Sequence, residues 1–192
     1  MTEIRAVAKT LLMVLAFLLI AVAHAYAQAD HPPQTTTVIL VRHAEKADGS
    51  RDPVLSAQGA ARAQDLADAL ADAAVTAIYV TEFARTQLTA APLAQRLGLA
   101  AQVRPVAGRS VDEEANAMAA HIRATHPGET VLVVGHSNTV PAMAAALGAP
   151  RMPDLADAEY STMFVLEVTP GGTRLIRGRF GAGDAATQRQ VD

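Results

Sequence analysis

Val38-Ile39-Leu40-Val41-Arg42-His43-Ala44-Glu45-Lys46 begins as a run of branched aliphatic residues and breaks into charge at Arg42 and His43. Continuous apolar runs of this length are the mark of a strand buried on both faces, which points to a parallel sheet covered by helices. In such sheets ligands bind in the crevice beyond the carboxyl ends of the strands. An imidazole beside a guanidinium at that point suggests a histidine that handles phosphate, because Arg offers phosphate oxygens a forked set of donors. Thr130-Val131-Leu132-Val133-Val134-Gly135-His136-Ser137-Asn138 repeats the design. Two such strands can set His43 and His136 side by side at one rim.

Working outward, β and α patterns alternate. Residues 35–41 read as the first strand and residues 44–55, with Asp48-Gly49-Ser50 and Asp52-Pro53, as a loop. Ser56 is placed to cap a helix whose apolar stripe is Ala60, Ala63, Leu66 and Leu70. Residues 75–80 form a second strand. Thr81 is expected to cap the next helix, which carries Arg85, and Pro92 to end or kink it. A weak strand over 101–106 precedes a helix from about Asp112, closed by His126-Pro127-Gly128. After the fourth strand, Ser137 is expected to cap a helix that accepts Pro141 in its first turn and stops at Gly148. Residues 163–168 and 173–179, joined through Pro170-Gly171-Gly172, read as a hairpin, and the tail from Gly181 as loose. The pattern predicts a three-layer α/β/α sandwich, its sheet mostly parallel with an antiparallel edge.

Residues 1–27 have the parts of a secretory signal: Arg5 and Lys9, an uncharged apolar core over 11–23, and the small-x-small Ala25-Tyr26-Ala27. Cleavage is expected to leave Gln28 as the first residue of a single domain over 28–192, with its core at about 35–180. The apolar core is shorter than the roughly 20 residues that span a bilayer, so no lasting membrane anchor is expected. The expected location is therefore periplasmic or secreted. The chain has no Cys, which excludes disulfides, thiolate metal sites and a cysteine-linked lipid anchor. A net charge of −3 without a basic run argues against nucleic acid as a partner.

Arg42 and His43 follow the first strand, Arg85 sits in the first turns after the second, and His136 follows the fourth. Topology thus brings sequence-distant groups to one rim. Arg42-His43-Ala44-Glu45, Leu55-Ser56-x-x-Gly59, Arg85-Thr86-x-x-Thr89-Ala90 and Gly135-His136-Ser137-Asn138 resemble, in order and spacing, the successive motifs of the histidine phosphatase superfamily, the phosphoglycerate-mutase-like proteins. The resemblance spans residues 36–147. It implies a two-step transfer through a phosphohistidine, with His43 as nucleophile and Arg42, Arg85 and His136 as the phosphate pocket. It implies a phosphoester substrate, on a small molecule, glycan or protein, and no metal or cofactor.

The residue types suit that chemistry. Covalent catalysis divides one hard displacement into two easier ones. Nearby cations favour the uncharged, nucleophilic imidazole, and the same cations face the charge of the transferring phosphoryl group. The proton donor is less plainly written. The His-Asp pair of one branch is missing, since Ser137 follows His136, and the segment after Val106 lacks a Gly-x-x-Glu-Gly pattern. Glu82 is the candidate acid because it opens the Arg85 helix at the rim; Glu113 and Glu114 are second choices. Glu45 and Lys46 read as loop-shaping, Ser56 and Gly59 as helix-start residues, and His31, His121 and His126 as structural. A mutase, a non-catalytic phosphate-binding module and a metal hydrolase using His43, Glu45 and His136 are the competing readings.

Overall fold

The computed structural model describes residues 34–184 except 107. The signal segment, its cleavage point and His31 lie outside the described residues. Strands β1 (Thr36–Arg42), β2 (Val75–Val80), β3 (Gln102–Val103), β4 (Thr130–Gly135), β5 (Thr162–Thr169) and β6 (Gly172–Arg179) form one sheet in the order β3-β2-β4-β1-β5-β6. The first four are parallel, β5 runs antiparallel to β1, and β6 antiparallel to β5. Among the described residues the helices are α1 (Ala57–Ala69), α2 (Ala84–Leu97), α3 (Val111–Thr125) and α4 (Thr139–Ala146).

Side-chain alternation divides the core in two. Val38 and Leu40 of β1 pack with Met118, Ile122, Val140 and Met143 of α3 and α4. Ile39 and Val41 face the other way, onto Leu66, Leu70, Ala90 and Leu93 of α1 and α2. The sheet is therefore a middle layer between two helical ones. Truncating a fully buried Leu such as Leu40, Leu66 or Leu93 to Ala should cost about 2–5 kcal/mol.

This topology positions the site. The chain leaves β1 toward the α1 face and leaves β4 toward the α4 face, so the connections diverge where the two neighbouring strands end. That divergence opens a crevice at a switch point of the sheet. The β1–β4 register pairs Arg42 with Gly135, and the His43 amide donates to Gly135 O at 2.9 Å. His43 and His136 are consequently neighbours across the gap.

Four expectations about the elements are corrected. Thr81 does not cap α2: Phe83 is the N-cap, without a side-chain cap bond, and the amide of Ala84 is met by Asp52 Oδ1 at 2.9 Å. Pro92 does not end α2, which continues to Leu97. Its missing N–H leaves Leu88 O without a helical donor, and Leu88 is exposed, on the side where water can serve the carbonyl. Asn138, not Ser137, precedes α4, and the Thr139 hydroxyl meets the His136 amide at 2.8 Å. The stretch expected to be loose is anchored over residues 181–184, where Asp184 is buried and accepts from the amides of Tyr160 and Ser161.

Candidate active site

His43 is 4% exposed, at the end of β1. Its Nδ1 lies 2.8 Å from Ala44 O, a group that can only accept, so Nδ1 carries the proton. Nε2 then keeps its lone pair. Burial pushes the imidazole down to a pKa of about 3, aided by His136, Arg42 and Arg85; the bond to Ala44 O acts the other way and is outweighed. Burial, more than the neighbouring cations, is what keeps this histidine neutral.

Arg42 and Arg85 flank it differently. Arg42 is 5% exposed, and its Nη1 donates to Ala156 O at 2.8 Å, Asp157 O at 3.1 Å and Glu159 O at 3.3 Å. Its guanidinium lies over the Tyr160 ring, 4.2 Å from the centroid. Arg85, in the first turn of α2, lies over the Phe83 ring at 4.3 Å and keeps Nη1 3.8 Å from Asp52 Oδ1. The Nε atoms of both arginines are buried with no hydrogen-bond partner among the described residues. Two cationic donors without acceptors in one cluster fit an anion.

His136 completes the group. Its ring centroid is 5.4 Å from that of His43, edge to face. Arg85 Nη2 is 3.5 Å from Nδ1, and Thr81 Oγ1 is 3.1 Å from Nε2. Burial, then Arg85 and Arg42, push this imidazole down to about 4, so near neutral pH it is uncharged. The Thr81 hydroxyl is engaged with Thr86 and His136 and accepts from the amide of Phe83 at 3.4 Å, one residue before α2 begins.

The loop after β1 is clamped in place. Ala44 N donates to Thr89 Oγ1 at 2.9 Å, and the same hydroxyl donates to Arg85 O at 2.7 Å, tying the nucleophile's loop to the Arg85 helix. Glu45 is bound by Arg62, with Nη2 to Oε1 at 2.7 Å. It is therefore loop-shaping, and the set His43, Glu45 and His136 is not assembled as metal ligands. Gly59 lets α1 press on this loop: a Cβ there would lie 2.3 Å from Glu45 O.

The candidate acids lie apart from this cluster's hydrogen bonds. Glu82 precedes α2 and its Oε2 accepts from Val106 N at 2.9 Å. Glu113 closes a capping box with Ser110, which lowers its pKa, and Glu114 pairs with Arg109 at 3.0 Å. His121 and His126 both sit within hydrogen-bond reach of the Tyr79 hydroxyl, at 2.9 and 2.7 Å. Tyr160, Arg62 and the carbonyls of Ala156, Asp157 and Glu159 are site residues that the sequence patterns did not single out, and those patterns mark Thr81 and Asp52 only as a helix cap and a loop residue. For Thr86 and Thr89 a signal existed in the Arg85-Thr86-x-x-Thr89-Ala90 motif, and both are fully buried on α2.

Residues 38–107 match the model of the histidine phosphatase superfamily, branch 1. The matched span holds Arg42, His43, Glu82 and Arg85, while His136 joins them by topology. The uncharacterized protein Rv0525 of Mycobacterium tuberculosis is 42% identical over 80 residues, covering 38% of this chain and 40% of that protein. The chain thus spans well under half of that relative. Among solved structures, the mycobacterial glucosyl-3-phosphoglycerate phosphatase Rv2419c has a TM-score of 0.60 at 17% identity, over 78% of this chain and 100% of that one. SixA from Nakamurella multipartitia has a TM-score of 0.56 at 27% identity, over 79% and 100%. The family model is thus matched over the segment from β1 to the loop after β3, and these solved structures share the fold of this chain.

Proposed function

We propose that this protein is an extracytoplasmic phosphatase that hydrolyses phosphomonoesters through a phosphohistidine on His43, without a metal. The supporting observation is the state of His43: neutral, with Nδ1–H bound to Ala44 O, and therefore nucleophilic at Nε2 among Arg42, Arg85 and His136. Nε2 attacks phosphorus as the ester oxygen departs with a proton, for which Glu82 is the proposed donor. Water then cleaves the P–N bond and releases phosphate. The arginines carry the charge on the phosphoryl oxygens through both steps. The substrate is a phosphoester on a small molecule, glycan or protein side chain; the structurally similar Rv2419c is a glucosyl-3-phosphoglycerate phosphatase.

The test is chemical. Acid-sensitive, base-stable phosphate should be trapped on a His43 peptide after reaction with an aryl phosphate, and His43→Ala should neither label nor turn over. Turnover should survive chelation and be blocked by vanadate. Binding of phosphate without label or turnover would instead support a non-catalytic phosphate-binding module. Export should yield a chain beginning at Gln28, read by mass spectrometry; a full-length species in the membrane fraction would overturn the extracytoplasmic soluble form.

A further inference from the structure

Arg62 lies on α1, is only 2% exposed, and spends its guanidinium in two directions. Nε bonds both carboxylate oxygens of Glu45, at 2.9 and 3.0 Å, and Nη2 adds a third bond at 2.7 Å. Nη1 donates to Phe180 O at 3.2 Å and Ala182 O at 2.8 Å. A buried cation persists only when its donors are met, so the Glu45 loop and the chain beyond β6 are joined through one side chain. Glu45 has leverage on chemistry. The peptide linking Ala44 to Glu45 carries the oxygen that holds Nδ1–H of His43, so turning Glu45 turns the group that fixes the tautomer.

The same segment reaches the other side of the pocket. Asp184 Oδ1 accepts from the amides of Tyr160 and Ser161, both at 2.9 Å, and Oδ2 from Ser161 Oγ at 2.8 Å. Tyr160 is the ring under Arg42, and the carbonyls just before it hold Arg42 Nη1. Phe180 N donates to Ser161 O, closing the connection.

We propose that residues 180–184 are a clasp that assembles the phosphate pocket, with Arg62 and Asp184 as positioning residues: Arg62 sets the His43 loop and Asp184 sets the seat of Arg42. The proposal rests on the phosphatase reading above. The two arms predict different kinetic failures. Arg62→Met frees Glu45 and misplaces the nucleophile, so kcat should fall about a hundredfold, the scale of a 1 Å misplacement, with a smaller change in KM. Asp184→Ala orphans two amides and slackens Arg42, so KM and the vanadate inhibition constant should rise about tenfold while kcat holds better. Asp184→Asn keeps an oxygen for both amides and should recover most of the loss.

The experiment compares these three variants with the wild type on an aryl phosphate, with melting temperature as the check on folding. Folded variants with wild-type kcat, KM and vanadate inhibition would overturn the clasp, as would equal defects in Asp184→Ala and Asp184→Asn. Should the variants not fold, hydrogen exchange on the wild type decides. Vanadate should slow exchange in residues 156–161 and 180–184 together, and unchanged exchange in both would overturn the proposal. A wild-type protein that neither turns over nor binds vanadate would overturn the phosphatase reading instead.

Discussion

His43 is shaped by different neighbours at its two nitrogens. Ala44 O fixes the proton on Nδ1, while burial and the surrounding cations keep a second proton off Nε2. One consequence is that kcat should show no His43 limb as pH drops through 6.5, where an ordinary histidine is protonated. The kcat/KM profile should instead follow the ionisation of the phosphoester, and a histidine-like limb moving with substitution of Arg42 would contradict this. Glu82 poses a question of role, because its carboxylate holds Val106 N and also lies near enough to act on Arg85. An alkoxide leaves poorly without a proton, whereas an aryl oxide does not need one. If Glu82 is the acid, Glu82→Gln should slow alkyl phosphates by about 10²–10⁴-fold and spare aryl phosphates. Equal losses on both would make Glu82 a scaffold for the Val106 and Arg85 segments.

At the scale of elements, the contact between α1 and the loop after β1 is the tightest constraint on the site. A methyl at position 59 would collide with the backbone of Glu45, which Arg62 and Ser56 already hold from either side. Gly59→Ala should therefore cost about 1–3 kcal/mol, the range for overpacking, and lower kcat as well, measured by denaturant melts and aryl phosphate turnover. Unchanged turnover would mean that the loop tolerates displacement. The same contact shows what could be read from the chain alone. Strands declared themselves as aliphatic runs and α1 by Ala63, Leu66 and Leu70, which are buried, whereas Ala60 of the expected stripe is exposed. Ser56 does cap α1, because its hydroxyl has no tertiary competitor among the described residues. Thr81 and Ser137 misled for the opposite reason: the first is engaged by His136 and Thr86, and Thr139 serves the turn before α4. The seat of Arg42 was invisible, because Ala156, Asp157 and Glu159 contribute carbonyl oxygens, which every residue has. Asp184 looked like part of a polar tail, and only its long-range amide partners distinguish it.

For the molecule as a whole, a sheet covered on both faces makes its carboxyl edge the one place where β1 and β4 can present side chains together. The cost is that two histidines are held neutral in a buried crevice. His43 titrates at about 3 and His136 at about 4, against about 6.5 in an unfolded chain. As pH falls below 6.5 the unfolded chain takes up protons that the folded one refuses, so stability is full above that value and declines toward the folded pKa values. His121, also shifted down by burial and Arg104, adds in the same direction. His43 and His136 each contribute at most about 1.4 kcal/mol per pH unit to this slope. Carboxylates contribute chiefly below about pH 4.5, so melting temperatures between pH 7 and pH 5 isolate the histidines. The wild type should lose stability steadily over that interval. His43→Gln and His136→Gln should each flatten the slope, and the double variant should flatten it further, leaving the share that belongs to His121. A slope unchanged by both substitutions would show that the two rings take up protons in the folded state as readily as in the unfolded chain, so that below pH 6.5 His43 would lose the lone pair it attacks with.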